Sequence, residues 1–422
     1  MLAGVRKQSL RPTHSTGLKE AIHFGRYAAG SGLSSVLAFL TAVVLARWLE
    51  PGQFAGVSLV LASAVMVSML GAGVDSAAAR LVARGPLEDG IIRTYLAVAR
   101  TWRLGLLILS SGVIVLVFIA APSVRLIGIG PALVAWLLLT LGLSMMGLAL
   151  IKPTAVGAVG SYTIYQLGFY LPLFLGVCVA FAIRASVSVT LLVMALAGIA
   201  FVVWYVWENR ASWRFALTVP GYTRIAGTML VSTALFAVFT RLDVFYVSLF
   251  LPPREAGHYA AAVRLAGGMA VATGAFATFA VPRISRVKTP VDLKRAYRRL
   301  VPVLLLIGGG AAVMAGTAGW TVPFLFGQKY DAAIPWLRLL AIQYPLAAAC
   351  LPISYVYPFL GKARWQWEQN ALVLGVAVFC LVISARRLPI VAISASVAEV
   401  AACVYAFARY KQLSLAYARS EQ

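Results

Sequence analysis

Acidic residues are scarce in this chain. Only 13 Asp and Glu stand against 36 Lys and Arg in 422 residues, and charged residues of both signs make up 12% of the whole. Water-soluble globules carry about a quarter charged residues, so 61% hydrophobic residues and a mean hydropathy of +0.89 exclude one. Cysteine is also rare: Cys178, Cys350, Cys380 and Cys403 each stand alone in an apolar run, which leaves no CxxC, no metal spacing and no disulfide framework. They are expected to be small core residues. Of the three histidines, His258 has no second one near it, so no metal site is assigned. Also missing are a Ser-His-Asp set, a P-loop and an acidic pair on an outward loop, so no catalytic residue or cofactor is assigned. Gly30-Ser-Gly32 lacks the strand-turn-helix context of a dinucleotide site. Met1 to Arg26 is polar and basic, without an adjoining short apolar region and cleavage site, and reads as a cytoplasmic lead-in.

What the chain has is long apolar runs. Leu104 to Ala120, Ala132 to Ile151 and Leu191 to Val206 carry no charge and are long enough to cross most of about 30 Å of hydrocarbon as helix. They are apolar on every face, unlike the alternating strands of a membrane barrel. The expected fold is an all-α polytopic membrane protein of about twelve spans, near 28-48, 55-74, 96-120, 126-149, 155-182, 187-207, 222-250, 256-281, 300-325, 332-360, 367-385 and 389-409. The formal charge of +23 would suggest nucleic acid in a soluble protein. Here the cations lie between apolar runs and mostly on the side of both termini, which predicts cytoplasmic termini and no nucleic-acid partner. The basic stretch Arg283 to Arg299 is expected to open as an amphipathic helix at anionic lipid heads. The outward loops are short, which disfavours a glycan polymerase or ligase.

An internal repeat divides the chain. Leu49-Glu-Pro51-Gly-Gln53-Phe-Ala-Gly-Val57-Ser aligns without gaps to Leu251-Pro-Pro253-Arg-Glu255-Ala-Gly-His-Tyr259-Ala, an offset of about 202 residues that continues to Arg84 and Arg286. This predicts two six-helix lobes of the same orientation, 1-212 and 213-422.

Charge inside a span costs about 2.5–3.5 kcal/mol, so such residues face a cavity or a partner. Arg241 and Asp243 fall in the seventh span, Arg264 in the eighth, Arg338 in the tenth and Glu399 in the twelfth. Arg241 and Asp243 point about 200° apart on a helix and cannot simply neutralise each other. Guanidinium groups that fork onto phosphate oxygens suit an anionic head group, which makes Arg241, Arg264 and Arg338 binding candidates, or else helix-locking partners of the acids. Arg26, at the mouth of the first span, could receive a head group or merely set topology. Asp243 and Glu399 are candidates for coupling to H+ or Na+, or for structural salt bridges. Tyr162, Tyr165, Tyr170, Trp204, Tyr205 and Trp207 read by default as an interfacial belt. Pro172, Pro345, Pro352 and Pro358 predict kinks, and Gly308-Gly-Gly310 close helix approach.

These segments resemble a known family. Leu45-Ala-Arg47-Trp-Leu49-Glu-Pro51-Gly-Gln-Phe54 with Gly71-Ala-Gly73, then Arg241-Leu-Asp243-Val-Phe-Tyr246, Pro253 to Leu265, Pro282-Arg-Ile-Ser285 and Leu325-Phe-Gly327-Gln-Lys-Tyr330-Asp-Ala-Ala, are similar to polysaccharide flippases of the multidrug/oligosaccharidyl-lipid/polysaccharide exporter superfamily. Ala55 stands where such proteins commonly have Gly. The resemblance implies two lobes around a cavity that opens to either side alternately, and a cargo of oligosaccharide on undecaprenyl pyrophosphate. It implies no enzyme; other polysaccharide assembly proteins are candidate partners. A cation-coupled drug exporter of the same superfamily, a membrane glycan polymerase or ligase, and an export scaffold are the competing readings.

Overall fold

The computed structural model describes residues 16–84, 89–156, 159–210, 222–284, 289–359 and 362–420, with some helical residues, 16–31 among them, described in backbone only. No strand occurs among them. The helices are α1 (Thr16–Trp48), α2 (Pro51–Leu70), α3 (Ala72–Arg84), α4 (Asp89–Ala120), α5 (Pro122–Ile127), α6 (Ile129–Val156), α7 (Val159–Ala182) and α8 (Val187–Glu208). There follow α9 (Tyr222–Phe250), α10 (Pro253–Ile284), α11 (Pro290–Phe326), α12 (Ile334–Ala341), α13 (Gln343–Phe359), α14 (Ala363–Ile383) and α15 (Leu388–Ser420).

Ten helical stretches among the described residues are long and apolar enough to cross a membrane. α1, apolar over Gly32–Trp48, and α10 account for the other two expected spans. Their outer surfaces carry the apolar side chains that hydrocarbon requires: Ile108, Leu109, Leu305, Leu306, Phe379 and Val382 are all exposed. We call the end where α1 begins and α15 ends the terminal face, and the other end the opposite face.

Local chemistry sets the helix starts. Pro51, Pro122, Pro253 and Pro290 open α2, α5, α10 and α11, where a missing N–H costs nothing. Thr289 and Asp292 form a capping box on α11. The first turns of α11 are amphipathic as expected, with Leu293 and Leu300 buried and Lys294, Arg295, Arg298 and Arg299 exposed. Three expected spans are broken, the fourth (126-149) at Gly128 between α5 and α6. The second divides at Gly71 into α2 and α3; the tenth divides into a 3-10 turn (Gln328–Ala333), α12 and α13, with the last break at Ile342, three residues before Pro345.

Helices of the first half pack mostly on each other, α1 on α7, α6 on α8 and α2 on α6; in the second half α14 lies on α15 and α9, and α13 on α15. The halves meet where α2 lies on α10 and α9, and where α3 lies on α9. The aligned segments touch at that seam. A Cβ on Gly257 would stand 1.8 Å from the Pro51 carbonyl oxygen, and one on Gly52 3.3 Å from the Pro253 side chain. Only glycine permits the α10–α2 approach at residue 257. In the first half Ala55 is buried, and the corresponding tight contact falls on Gly56, against the Ser123 carbonyl.

Three expectations are corrected. Gly308 and Gly309 mediate no close approach: a Cβ on either would meet open space. Cys350 and Cys403 are not isolated, because α13 and α15 bring their Cα atoms to 5.2 Å and a disulfide joins them; their separation of 53 residues gave no spacing signal. The aromatic residues are mostly no belt. Tyr165, Phe169, Phe201, Trp204 and Tyr205 pack edge-on or tilted against one another between α7 and α8, while Trp207 remains exposed.

Candidate functional site

Arg241 lies nine residues from the opposite-face end of α9, and Arg264 eleven residues from that end of α10. At 1.5 Å per residue this puts both roughly 14–17 Å deep, near the middle of a hydrocarbon layer. The fold brings these two predicted residues together: their charges act on each other, and Tyr170 of α7 lies within range of both. Arg264 donates from Nη2 to the Ser58 carbonyl of α2 at 3.5 Å, a weak contact for a full charge. Arg241 Nε is shut off from solvent without any hydrogen-bond partner. Arg241, Asp243, Arg264, Tyr170 and Tyr344 nevertheless each keep some accessible surface amid the packed helices.

Asp243 does not discharge the pair. Its Oδ2 accepts from the Tyr259 hydroxyl of α10 at 2.7 Å and its Oδ1 accepts from the Val244 N–H at 2.8 Å. Tyr344 of α13 lies near Asp243 and Arg241. The result is two guanidinium groups facing one committed carboxylate. Like charges held together in a poorly polarisable interior are stabilised by an anion, and planar guanidinium groups match phosphate or carboxylate oxygens best.

The other candidates lie elsewhere. Arg338 is exposed on α12 and donates from Nε to the Ala315 carbonyl of α11 at 3.3 Å. Glu399, half-buried on α15, has no ion pair among the described residues. The side chain of Arg26 lies outside the described residues.

Sequence reasoning missed two buried cations. Arg100 and Arg103 of α4 are 1% and 4% exposed. Arg103 forms a two-pronged ion pair with Asp75, its Nε donating at 2.9 Å, and also reaches the Ser68 carbonyl at 3.3 Å. Its guanidinium thus spans the break at Gly71, taking a carbonyl at the end of α2 and a carboxylate in the first turn of α3. Arg100 is hydrogen-bonded to Tyr205. The signal was present, since both fall inside the expected third span.

The halves are fastened at both ends. Toward the terminal face, the Tyr222 hydroxyl of α9 donates to the Val74 carbonyl of α3 at 3.0 Å. At the opposite face two cations cap each other's helix ends. Arg47, in the last turn of α1, donates to the Leu325 carbonyl (2.8 Å) and to the Phe324 carbonyl at the end of α11. Lys329 donates back to the Leu49 (2.8 Å) and Arg47 (3.2 Å) carbonyls at the end of α1. The negative end of a helix dipole favours a cation, so each half supplies the charge that the other's helix needs. Gly327, with φ +94°, turns the chain sharply enough for Lys329 and Tyr330 to reach back. Tyr330, fully buried, donates to the Leu49 carbonyl at 3.2 Å and packs edge-on against Phe54.

The fold is similar to that of solved transporters, some of them described as belonging to the MOP superfamily. Among solved structures, the lipid II flippase MurJ in an inward closed conformation superposes with a TM-score of 0.71 at 14% identity, over 92% of this chain and 90% of that one. An inward-facing multidrug-resistance transporter of the MATE family gives 0.60 at 16% identity, over 90% and 95%. A superfamily transporter from Pyrococcus furiosus, described as having a binding pocket of reverse polarity, gives 0.63 at 14%, over 93% and 96%. No family model and no curated protein matches the sequence.

Proposed function

We propose that this chain is a flippase that carries a lipid-linked oligosaccharide, on undecaprenyl pyrophosphate, from the cytoplasmic to the outer leaflet of a bacterial inner membrane by alternating access. The observation that carries the reading is the Arg241–Arg264 pair at mid-depth, with an Nε orphaned among the described residues and the Asp243 carboxylate taken by Tyr259. A pyrophosphate supplies the missing anion; the prenyl tail stays in lipid, and the sugars occupy the accessible space around Tyr170 and Tyr344. In this reading residues 1–212 and 213–422 are the two lobes and the terminal face is cytoplasmic, following the excess of Lys and Arg on that side. The contacts at both ends then describe a state closed to either side. Asp243, tied to Tyr259, and Glu399, free of any ion pair among the described residues, are the groups proposed to couple transport to H+ or Na+.

A cation-coupled drug exporter is the second reading, favoured by the equally broad likeness to the multidrug transporters and by Glu399. The experiment is the sidedness of the lipid-linked oligosaccharide in spheroplasts of a deletion strain, probed with a membrane-impermeant glycan label. Wild type is expected to restore outward exposure, and Arg241→Gln with Arg264→Gln to leave the cargo inside. Normal exposure in the deletion strain, with resistance to cationic drugs lost, would move the assignment to the exporter.

A further inference from the structure

At the opposite face a cavity of about 420 Å³ opens between the start of α10, the 3-10 turn with the start of α12, and the start of α15. That volume lies within the roughly 300–1,000 Å³ usual for small-ligand sites. It is lined by Glu255, His258, Ala332, Pro335, Trp336 and Leu388, none of which belongs to the arginine site.

The lining is chemically specific. His258 is 7% exposed, and neither ring nitrogen has a hydrogen-bond partner among the described residues. Nδ1 is sealed from solvent, so Nε2 is the nitrogen left to face the cavity. The ring itself is held edge-on by Tyr330 at 5.9 Å, which fixes its direction. Nε2, without a protein partner among the described residues, is free to exchange a hydrogen bond with a ligand. Across the cavity stand an indole and the apolar edges of Pro335 and Leu388, and at its rim the exposed carboxylate of Glu255.

This set discriminates among ligand classes. An anion would meet Glu255 and no cation among the lining residues, since Arg254, whose charge acts on His258, is not one of them. A hydrocarbon chain would leave Glu255 and His258 unpaired. A metal ion would find one carboxylate and one imidazole, and no cluster of three or more potential ligands exists among the described residues. A sugar ring presents an apolar C–H face for Trp336 and a rim of hydroxyl groups that donate to Glu255 and exchange a hydrogen bond with His258. We propose that this cavity is a binding site for an uncharged sugar ring. The assignment rests on the cavity's own lining and not on the transport reading.

The test uses the full chain, purified in detergent and fluorescently labelled, on a printed array of neutral and N-acetylated oligosaccharides. Wild type is expected to be retained on a subset of the array. Trp336→Ala and His258→Ala each lower that retention at least tenfold, Glu255→Gln lowers it less, and Trp336→Phe, which keeps an aromatic plane, retains most of it. Arg241→Gln with Arg264→Gln leaves it unchanged, which separates this site from the mid-depth one even if the flippase reading fails. The proposal is overturned if wild type is retained no better than empty micelles, or if the Trp336→Ala and His258→Ala proteins bind as wild type does.

Discussion

Removing the reciprocal caps at the opposite face should open that face. Arg47 holds two carbonyls at the end of α11 and Lys329 holds two at the end of α1. Charged hydrogen bonds contribute about 1.5–3 kcal/mol when sheltered. Arg47 is exposed and the Lys329 side chain is 30% exposed, so about 1 kcal/mol per cation is the appropriate scale. The Lys329–Glu50 pair at 3.9 Å adds little, because Glu50 is 74% exposed. Arg47→Ala or Lys329→Ala should therefore shift the closed-to-open ratio about fivefold, and the double variant about thirtyfold. Spin labels at positions 182 and 383, the last residues of α7 and α14, on a background lacking the four cysteines, read the separation of the halves at this face. The expected result is a longer-distance population that grows from single to double variant, at unchanged thermal stability. Distance distributions identical to wild type in the double variant would refute the capping argument and leave Phe54, Phe326 and Tyr330 as the whole of the closure.

Gly257→Ala puts a Cβ into the Pro51 carbonyl and should cost more than about 1–3 kcal/mol, read as a lowered thermal midpoint, whereas Gly308→Ala, with open space around it, should be neutral or slightly stabilising. Arg103→Ala strands the half-buried Asp75 and should cost about 3 kcal/mol, the low end for such a pair; replacing the pair together, by Met and Leu, should recover much of that loss in the same melt. Arg338→Gln, far from the arginine pair, is expected to leave cargo sidedness in spheroplasts at the wild-type level, in contrast to Arg241→Gln with Arg264→Gln.

How much of this was legible in the sequence depends on what kind of physics each feature obeys. Spans are legible because hydrocarbon demands about twenty apolar residues in a row, and Pro51 and Pro253 mark matching helix starts because proline is tolerated there for a reason independent of tertiary context. Arg241 and Arg264 were legible as candidates because charge at mid-depth needs a partner. That they would meet was not, since α9 and α10 present them toward each other only once both are packed against α2. The same criterion applied to the third span would have flagged Arg100 and Arg103. Only the break at Gly71, which brings Asp75 against Arg103, turns one of them into a buried structural ion.

The caps explain why the motif around Gly327 has the form it does. Leu325-Phe326-Gly327-Gln-Lys329-Tyr330 contains, in order, one of the two carbonyls that Arg47 takes, a buried ring that packs on Phe54, a residue free to adopt positive φ, and the cation and hydroxyl that return to Leu49. Leu45 to Phe54 supplies the complementary set. Each segment alone is a degenerate string, because every one of its residues is common at a helix end. Together they form one joint whose parts are about 280 residues apart, and such a joint is visible in a single sequence only to a reader who already knows that the two helix ends meet. A chain in which Arg47 and Lys329 exchange places, as Arg47→Lys with Lys329→Arg, should accordingly keep the closed face, since both positions ask only for a cation at a helix C-terminus. If the exchange opened the face as far as the double alanine variant does, the joint would depend on the shape of each side chain and not on its charge.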